Sequence, residues 1–300
     1  MSREEFQVSV IMPVYNAAPF LERAIQSALE QPQLSELIAI DDASTDLSAR
    51  ILETWAQKTD RLIYLPAISK EPQRASAARN RGLAVATAPF IAFLDADDYY
   101  LPGRFNRTEA YFKAHPEVEG LIEPVEIFYQ ENYRGIYDRS KKVRRKDSGT
   151  GFTKGSFGDI LSLGIQCNGL TLRKNSHEGD LYFKNRFYQM QDLDFFRELL
   201  FKKWHIAIAG FSSPPVARYR HHSSNTSSQL NEKWTLSAEL EYHWIQKLSS
   251  EPNSRRDRWR LFYRYVIFKY HAPLWSHVKK VILYPILFSW ETIRLIKYLR

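Results

Sequence analysis

Along its first hundred residues the chain alternates between unbroken apolar runs and apolar positions three or four residues apart. Val8 to Val14, rich in β-branched residues, reads as a buried strand. Phe20, Leu21, Ala24, Ile25, Ala28 and Leu29 then repeat at helical spacing. Leu37 to Ile40 reads as a second strand ending on Asp41 and Asp42. Leu47, Ile51, Leu52 and Trp55 form one face of a second helix, which Ser44 is placed to cap. A third short strand spans Leu62 to Leu65, a helix of small residues runs from Ala75 to Ala86 and closes near Gly82 or just after it, and a fourth strand spans Phe90 to Leu94. This alternation predicts an α/β fold with a Rossmann-like, mostly parallel sheet flanked by helices. Ligands of such sheets collect at the carboxyl ends of the strands, where both Asp41-Asp42 and the group Asp95/Asp97/Asp98 are predicted to fall.

After about Glu119 the rhythm changes. Leu121 to Tyr129 and Tyr133 to Tyr137 read as a hairpin. Six basic residues between Arg139 and Lys146, then the glycine-rich stretch Gly149 to Gly158, read as a solvated loop. Leu193, Phe196, Leu199 and Leu200 mark a helix, Ile206 to Ala209 a strand and Val216 to Tyr219 an extended piece, and the remainder is helical in pattern. The expected organisation is a half at 1–118, a second half at 119–230 and a helical C-terminal tail at 231–300.

Composition changes this picture in two places. The net charge of +8 is concentrated in the tail, where residues 231–300 carry 13 Lys or Arg against 6 Asp or Glu, together with five of the seven tryptophans. Basic charge mixed with aromatic residues suits an anionic lipid surface or nucleic acid, and no nucleic-acid reading motif accompanies it. The bland alternative is a tail that packs its aromatics on the rest of the chain. The single cysteine, Cys167, excludes an internal disulfide and fits a reducing compartment. No signal peptide is expected, because the start is polar and the next apolar run is short and broken by Pro13; no apolar stretch approaches the ~20 residues that span a bilayer. A cytoplasmic protein, peripheral at the inner face of the membrane, is the expectation.

The sharpest chemical signal is Phe90-Ile91-Ala92-Phe93-Leu94-Asp95-Ala96-Asp97-Asp98, an apolar strand that stops on three carboxylates. Buried without partners, such carboxylates are expensive, and gathered together they repel. A divalent cation relieves both, and Mg²⁺ or Mn²⁺ prefers carboxylate plus phosphate oxygens. The segment therefore suggests a metal holding a diphosphate; an acidic turn capping the helix after Pro102 is the alternative.

Four pieces fall in one order: Val10-Ile11-Met12-Pro13-Val14-Tyr15-Asn16, Asp41-Asp42-Ala43-Ser44-Thr45-Asp46, Ala78-Arg79-Asn80-Arg81-Gly82, and Asp95-Ala96-Asp97-Asp98. This order resembles the family 2 glycosyltransferases, which have the GT-A fold, closely over about the first 110 residues and more loosely to Ser227. The resemblance implies that Pro13 and Tyr15 pack against a nucleobase, that Asp42 accepts a hydrogen from it, and that Arg79 stands near the nucleotide. It implies Asp97 as direct metal ligand, Asp95 as the residue reaching ribose or metal, and Asp98 as support or donor contact. Gln191-Asp192 matches the family's late acidic motif, with Asp192 as the base and Asp194 on the helix's polar face. Tyr219-Arg220-His221-His222 matches a late Tyr-Arg-x-His segment, in which His222 would complete the metal site. One departure stands out: Gln73-Arg74-Ala75-Ser76 stands where the family usually has glycine a few residues before the Ala-Arg-Asn motif, which implies a less flexible loop or an added phosphate contact from Arg74.

The activity implied is an inverting, metal-dependent transfer of a sugar from a nucleotide diphosphate donor, most simply a UDP-sugar, to a hydroxyl on a glycan or lipid-linked acceptor, with Mg²⁺ or Mn²⁺ as cofactor. Two other readings stand beside it. A nucleotidyltransferase would want a glycine-rich basic loop after the first strand, where Pro13-Val14-Tyr15-Asn16 stands instead. A non-catalytic sugar-nucleotide or membrane-surface binding protein would have no need to keep Asp95, Asp97 and Asp192 together.

Overall fold

The computed structural model describes residues 5–129, 152–154, 166–174, 181–186, 190–210, 213–222 and 230–248. The predicted Tyr133 to Tyr137 strand, the basic run at 139–146 and the tail beyond 248 lie outside them.

The chain divides into two units, one of Met1–Asn185 with Phe195–Ser223, the other of Arg186–Asp194 with Ser224–Arg300. The first unit is built on β1 (Val8–Val14), β2 (Leu34–Asp41), β3 (Leu62–Leu65) and β4 (Phe90–Phe93), interleaved with α1 (Ala18–Leu29), α2 (Ser48–Lys58) and α3 (Arg74–Val85). These four strands run parallel, in the order β3-β2-β1-β4. The sheet continues through β9 (Leu170–Arg173), β6 (Gly120–Ile122), β10 (Ile206–Ala209) and β8 (Phe152–Lys154). Of these, β9 runs antiparallel to β4 and β6, and β8 antiparallel to β10. A second sheet of three strands orders β5 (Tyr99–Tyr100), β11 (Ala217–His221) and β7 (Val125–Tyr129). Helix α4 (Asn106–Ala114) follows β5.

The core forms where the pattern placed it. Every residue of β1 but Pro13 is buried, and β2 is buried except at Ser35, as expected for strands covered on both faces. Pro13 costs no ladder bond on its β4 side, because β1 and β4 are in register only up to Ile11 and Phe93. Beyond that point the two strands part at their carboxyl ends. This is also where the strand order reverses, the position at which sheets of this class open a ligand crevice.

Four local readings are corrected. Ser44 does not cap α2, whose N-cap is Leu47 without a side-chain bond. Gly82 does not end α3, which runs on to Val85; a Cβ there would sit 2.6 Å from Ile11 Cγ2, so glycine is required for the helix to lie against β1. Leu121 to Tyr129 is broken at Glu123-Pro124 into two strands of different sheets, and β7 pairs in parallel with β11. The glycine-rich stretch at 149–158 contributes β8 to the sheet edge.

The break at Glu123 has a cause. Its carboxylate is fully buried and receives Arg104 Nη1 at 2.9 Å, Arg107 Nε at 2.8 Å and the Thr108 hydroxyl. Arg104, also fully buried, gives its other arm to Thr171 Oγ1 at 3.1 Å and to the Leu170 carbonyl at 3.3 Å. This cluster joins the residues before α4 to β6 and β9. A second local constraint lies at Arg74, which opens α3 at a φ of +76°. A side chain costs about 1–2 kcal/mol in that left-handed region, which explains why glycine suits the position.

Two stability predictions follow from these features. Glu123→Ala strands the Arg104 charge in the core and is expected to cost about 3–5 kcal/mol in urea unfolding; a loss below about 1 kcal/mol would show the pair to be dispensable. Arg74→Gly removes the backbone strain at some cost in unfolded-chain entropy, for a net gain of up to about 1 kcal/mol. A fall in melting temperature on that substitution would contradict the strain.

Candidate active site

Three loops leave the carboxyl edge of the sheet side by side, from β2, β1 and β4. The first two are stitched together. Asn16, at a φ of +48°, donates its N–H to Ser44 Oγ at 3.1 Å and accepts the Thr45 N–H at 2.8 Å. Ser44 thus serves the neighbouring loop instead of a helix. Asp46 accepts the N–H of Ala18 at 3.0 Å and of Ser48 at 2.9 Å, so one carboxylate meets the N-termini of α1 and α2, where negative charge is favoured. Tyr15, at the crest of this pair of loops, is 50 % exposed and presents a free aromatic face. Pro13 is half-buried at the end of β1.

Asp42 lies at the end of β2 with its N–H bonded to the Val14 carbonyl, and its side chain is 9 % exposed. Its two oxygens accept the N–H groups of Gln73 and Arg74 at 2.7 and 2.6 Å, so it caps α3. Burial raises its pKa despite these two bonds, and Asp41 adds to the rise. Each oxygen has a further lone pair to offer. Asp41, Asp42, Ala67, Ile68, Gln73 and Arg81 line an open pocket. Ile68 was not singled out from sequence. Its exposure of 69 % at the pocket is its only signal, and exposure is not legible in a chain of letters.

The loop after β4 carries the acidic cluster. Asp95 is half-buried and paired with Arg79 Nη2 at 2.6 Å. Arg79 is itself buried, with its guanidinium 5.2 Å from the Phe183 ring centre, and it meets the acidic loop through Asp95. Asn80 holds the same segment by exchanging two 2.8 Å bonds with the backbone of Phe183. Asp98 is buried too. Its carboxylate accepts the Arg220 N–H at 2.7 Å and an Asn168 amide N–H, so it braces the loop from inside. Burial, then the Asp97 and Asp95 charges, push its pKa well up. None of the three carboxylates caps α4, whose N-cap is Phe105.

Asn168, fully buried, also accepts the Asp95 N–H at 2.9 Å. The sequence reading missed it; an asparagine before a strand carries no local mark of what it will bridge. Asp97 is half-buried, and His222 Nε2 stands 3.0 Å from its Oδ2. The pairing of β11 with β5 delivers His222 there.

Among the described residues no three His, Cys, Asp or Glu side chains gather closely enough to hold a metal alone. The donor set nonetheless fits Mg²⁺ or Mn²⁺, which are held by one or two protein groups and complete their shells with phosphate and water. Asp97 and His222 supply a carboxylate oxygen and an imidazole nitrogen, with Asp95 two residues away.

In the second unit, Asp192 lies half-buried in the first turn of α5 (Gln191–Phe201). Asp194 is not on a polar face. It is buried, accepting Trp244 Nε1 at 2.8 Å and Arg186 Nε at 3.0 Å. Trp244 belongs to α6 (Leu230–Leu248), so at least one tail tryptophan is a core residue. Among the described residues no helix is long and apolar enough to cross a membrane.

Comparison with known proteins agrees with this geometry. Residues 9–157 match the model for glycosyl transferase family 2. The chain is 39 % identical over 100 residues to the succinoglycan biosynthesis protein ExoU of Rhizobium meliloti, covering 33 % of this chain and 29 % of that protein. It is 33 % identical over 141 residues to the minor teichoic acid biosynthesis protein GgaB of Bacillus subtilis, covering 46 % and 15 %. It thus spans less than a third of either relative's length. Among solved structures, S. aureus TarS 1–349 in complex with UDP-GlcNAc superposes with a TM-score of 0.66 at 16 % identity, over 98 % of this chain and 82 % of that one. A mannosyltransferase from Pyrobaculum calidifontis with GDP-Man and Mn²⁺ gives 0.57 at 14 % identity, over 98 % and 84 %. The sheet is of the GT-A type, and through residues 9–157 the chain belongs to glycosyl transferase family 2.

Proposed function

We propose that this chain is an inverting, metal-dependent glycosyltransferase of cell-surface glycan synthesis, moving a sugar from a nucleotide diphosphate donor, a UDP-sugar, to a hydroxyl on a glycan or lipid-linked acceptor. The observation that carries the reading is the convergence of the Tyr15, Asp42 and Asp97 loops on one edge of the sheet, where β1 and β4 part. The family membership supports the reaction class. The named roles of ExoU and GgaB in succinoglycan and teichoic acid synthesis support a surface-glycan product, and the UDP-GlcNAc bound by TarS supports a uridine donor.

The residues divide the work by their chemistry. Tyr15 offers a face on which a base stacks, with Pro13 beneath the loop and the Asp42 carboxylate as hydrogen acceptor. Arg79 holds Asp95, and Asn168 and Arg220 hold Asp98, so that the loop keeps its shape under its own charge. Asp97, with His222 and Asp95, would hold a divalent cation, which when bound offsets the negative charge gained by the departing diphosphate. Asp192 takes the proton from the acceptor hydroxyl as that oxygen attacks the anomeric carbon opposite the leaving group. The new carbon–oxygen bond forms as the bond to the diphosphate breaks, which inverts the configuration. Asp194 is unsuited to this step, since Trp244 and Arg186 occupy it.

The basic tail gives a further part of the proposal. Residues 231–300 would lay the enzyme on anionic lipid at the inner face of the membrane, near a lipid-linked acceptor. Its charge and its remaining tryptophans support this, while Trp244 is already committed to Asp194.

Asp192→Asn is expected to lower transfer and donor hydrolysis by a thousandfold or more, about 10³, while UDP binding by calorimetry stays at the wild-type value. Full turnover in that variant would remove Asp192 from the mechanism. A wild-type chain that binds UDP yet hydrolyses no UDP-sugar with Mn²⁺ would indicate a binding protein instead. In liposome flotation the full chain should rise with anionic vesicles and fall out of the lipid fraction at high salt; identical behaviour with neutral and anionic vesicles would end the membrane part of the proposal.

A further inference from the structure

We infer that Arg220 is a positioning residue for the cation site, acting through the Asp97 carbonyl and the Asp98 carboxylate; this rests on the function proposed above. Arg220 lies on β11, two residues before His222. It touches the acidic loop twice. Its N–H donates to Asp98 Oδ1 at 2.7 Å, and its side-chain Nε donates to the Asp97 carbonyl at 3.0 Å. Strand β11 and the residue just after it therefore hold Asp97 at two places, the carbonyl through Arg220 and the carboxylate through His222.

The guanidinium is seated among aromatic rings. Its central carbon lies 4.8 Å from the ring centre of Phe20, 5.0 Å from that of Phe128 and 6.0 Å from that of Tyr99. These rings come from α1, β7 and β5, so three elements fix one side chain. Phe20 also packs on the His222 ring, with centres 4.7 Å apart. Phe20 follows the Tyr15 loop by less than two turns of helix, which ties the acidic loop to the neighbourhood of the proposed base site. A positive charge at the Asp97 carbonyl opposes the mutual repulsion of Asp95, Asp97 and Asp98. A planar guanidinium can stack and donate at once, which a lysine ammonium cannot.

A cation held by so few protein groups depends on where each one stands, and partners behind a ligand alter metal affinity about 10–100-fold. The test is UDP calorimetry on the full chain, in Mn²⁺ and in EDTA, for the wild type, Arg220→Gln and Arg220→Lys. The wild type is expected to bind UDP more tightly in Mn²⁺. Arg220→Gln should lose about tenfold or more of that enhancement while its affinity in EDTA stays unchanged, with Arg220→Lys between the two. If Arg220→Gln does not fold by circular dichroism, Arg220→Lys decides alone. Full Mn²⁺ enhancement in the folded variants would overturn the inference and leave the proposed function standing. A parallel fall in EDTA would also overturn it, because Arg220 would then be touching the diphosphate itself. A wild type without any Mn²⁺ enhancement would overturn the cation reading and this inference together.

Discussion

Three carboxylates within four residues at the end of β4 repel one another, and the structure around them is organised by that repulsion. Each is met by a different partner brought from a different place: Asp95 by Arg79 of α3, Asp98 by Asn168 before β9 and by the backbone of β11, Asp97 by His222 just after β11. None of these partners is local in sequence. The small second sheet exists, in this view, to bring β11 back beside the acidic loop. The buried Arg104–Glu123 pair anchors the chain that follows that loop to β6 and β9. The cluster is therefore a joint between elements.

The other side of the crevice is built on different physics. The loops after β1 and β2 are joined by hydrogen bonds of Asn16 with Ser44 and Thr45, and of Asp46 with the Ala18 N–H. That stitching leaves Tyr15 exposed while Asp42 is drawn inward to cap α3. A nucleobase needs a flat apolar face and one well-placed acceptor, and a diphosphate needs positive charge. Under the proposed function Tyr15 and Asp42 would serve the first need, and a cation held on Asp97 would supply the second.

Much of this was legible in the sequence because it rests on local pattern. The strand runs, the helix stripes and the acidic residues at strand ends all follow from spacing within a few residues. Legibility failed where a residue's role depends on a distant partner. Gly82 looks like a helix end until Ile11 is seen against it. Leu121 to Tyr129 looks like one strand until Glu123 turns inward to Arg104. Asp194 looks like a surface residue until Trp244 covers it, and Asn168 looks like nothing in particular. Arg74 is the instructive middle case: its departure from glycine was visible, while the positive φ that gives the departure its meaning was not.

The central claim is that Tyr15 and Asp42 hold one end of a nucleotide diphosphate whose other end faces a cation on Asp97. A crystal structure of the chain with UDP and Mn²⁺ tests it most directly. The account predicts the uracil ring on the face of Tyr15, its N–H on the Asp42 carboxylate, and Mn²⁺ between the diphosphate and the Asp97 carboxylate. Uracil bound away from Tyr15, or Mn²⁺ with no bond to Asp97, would contradict it.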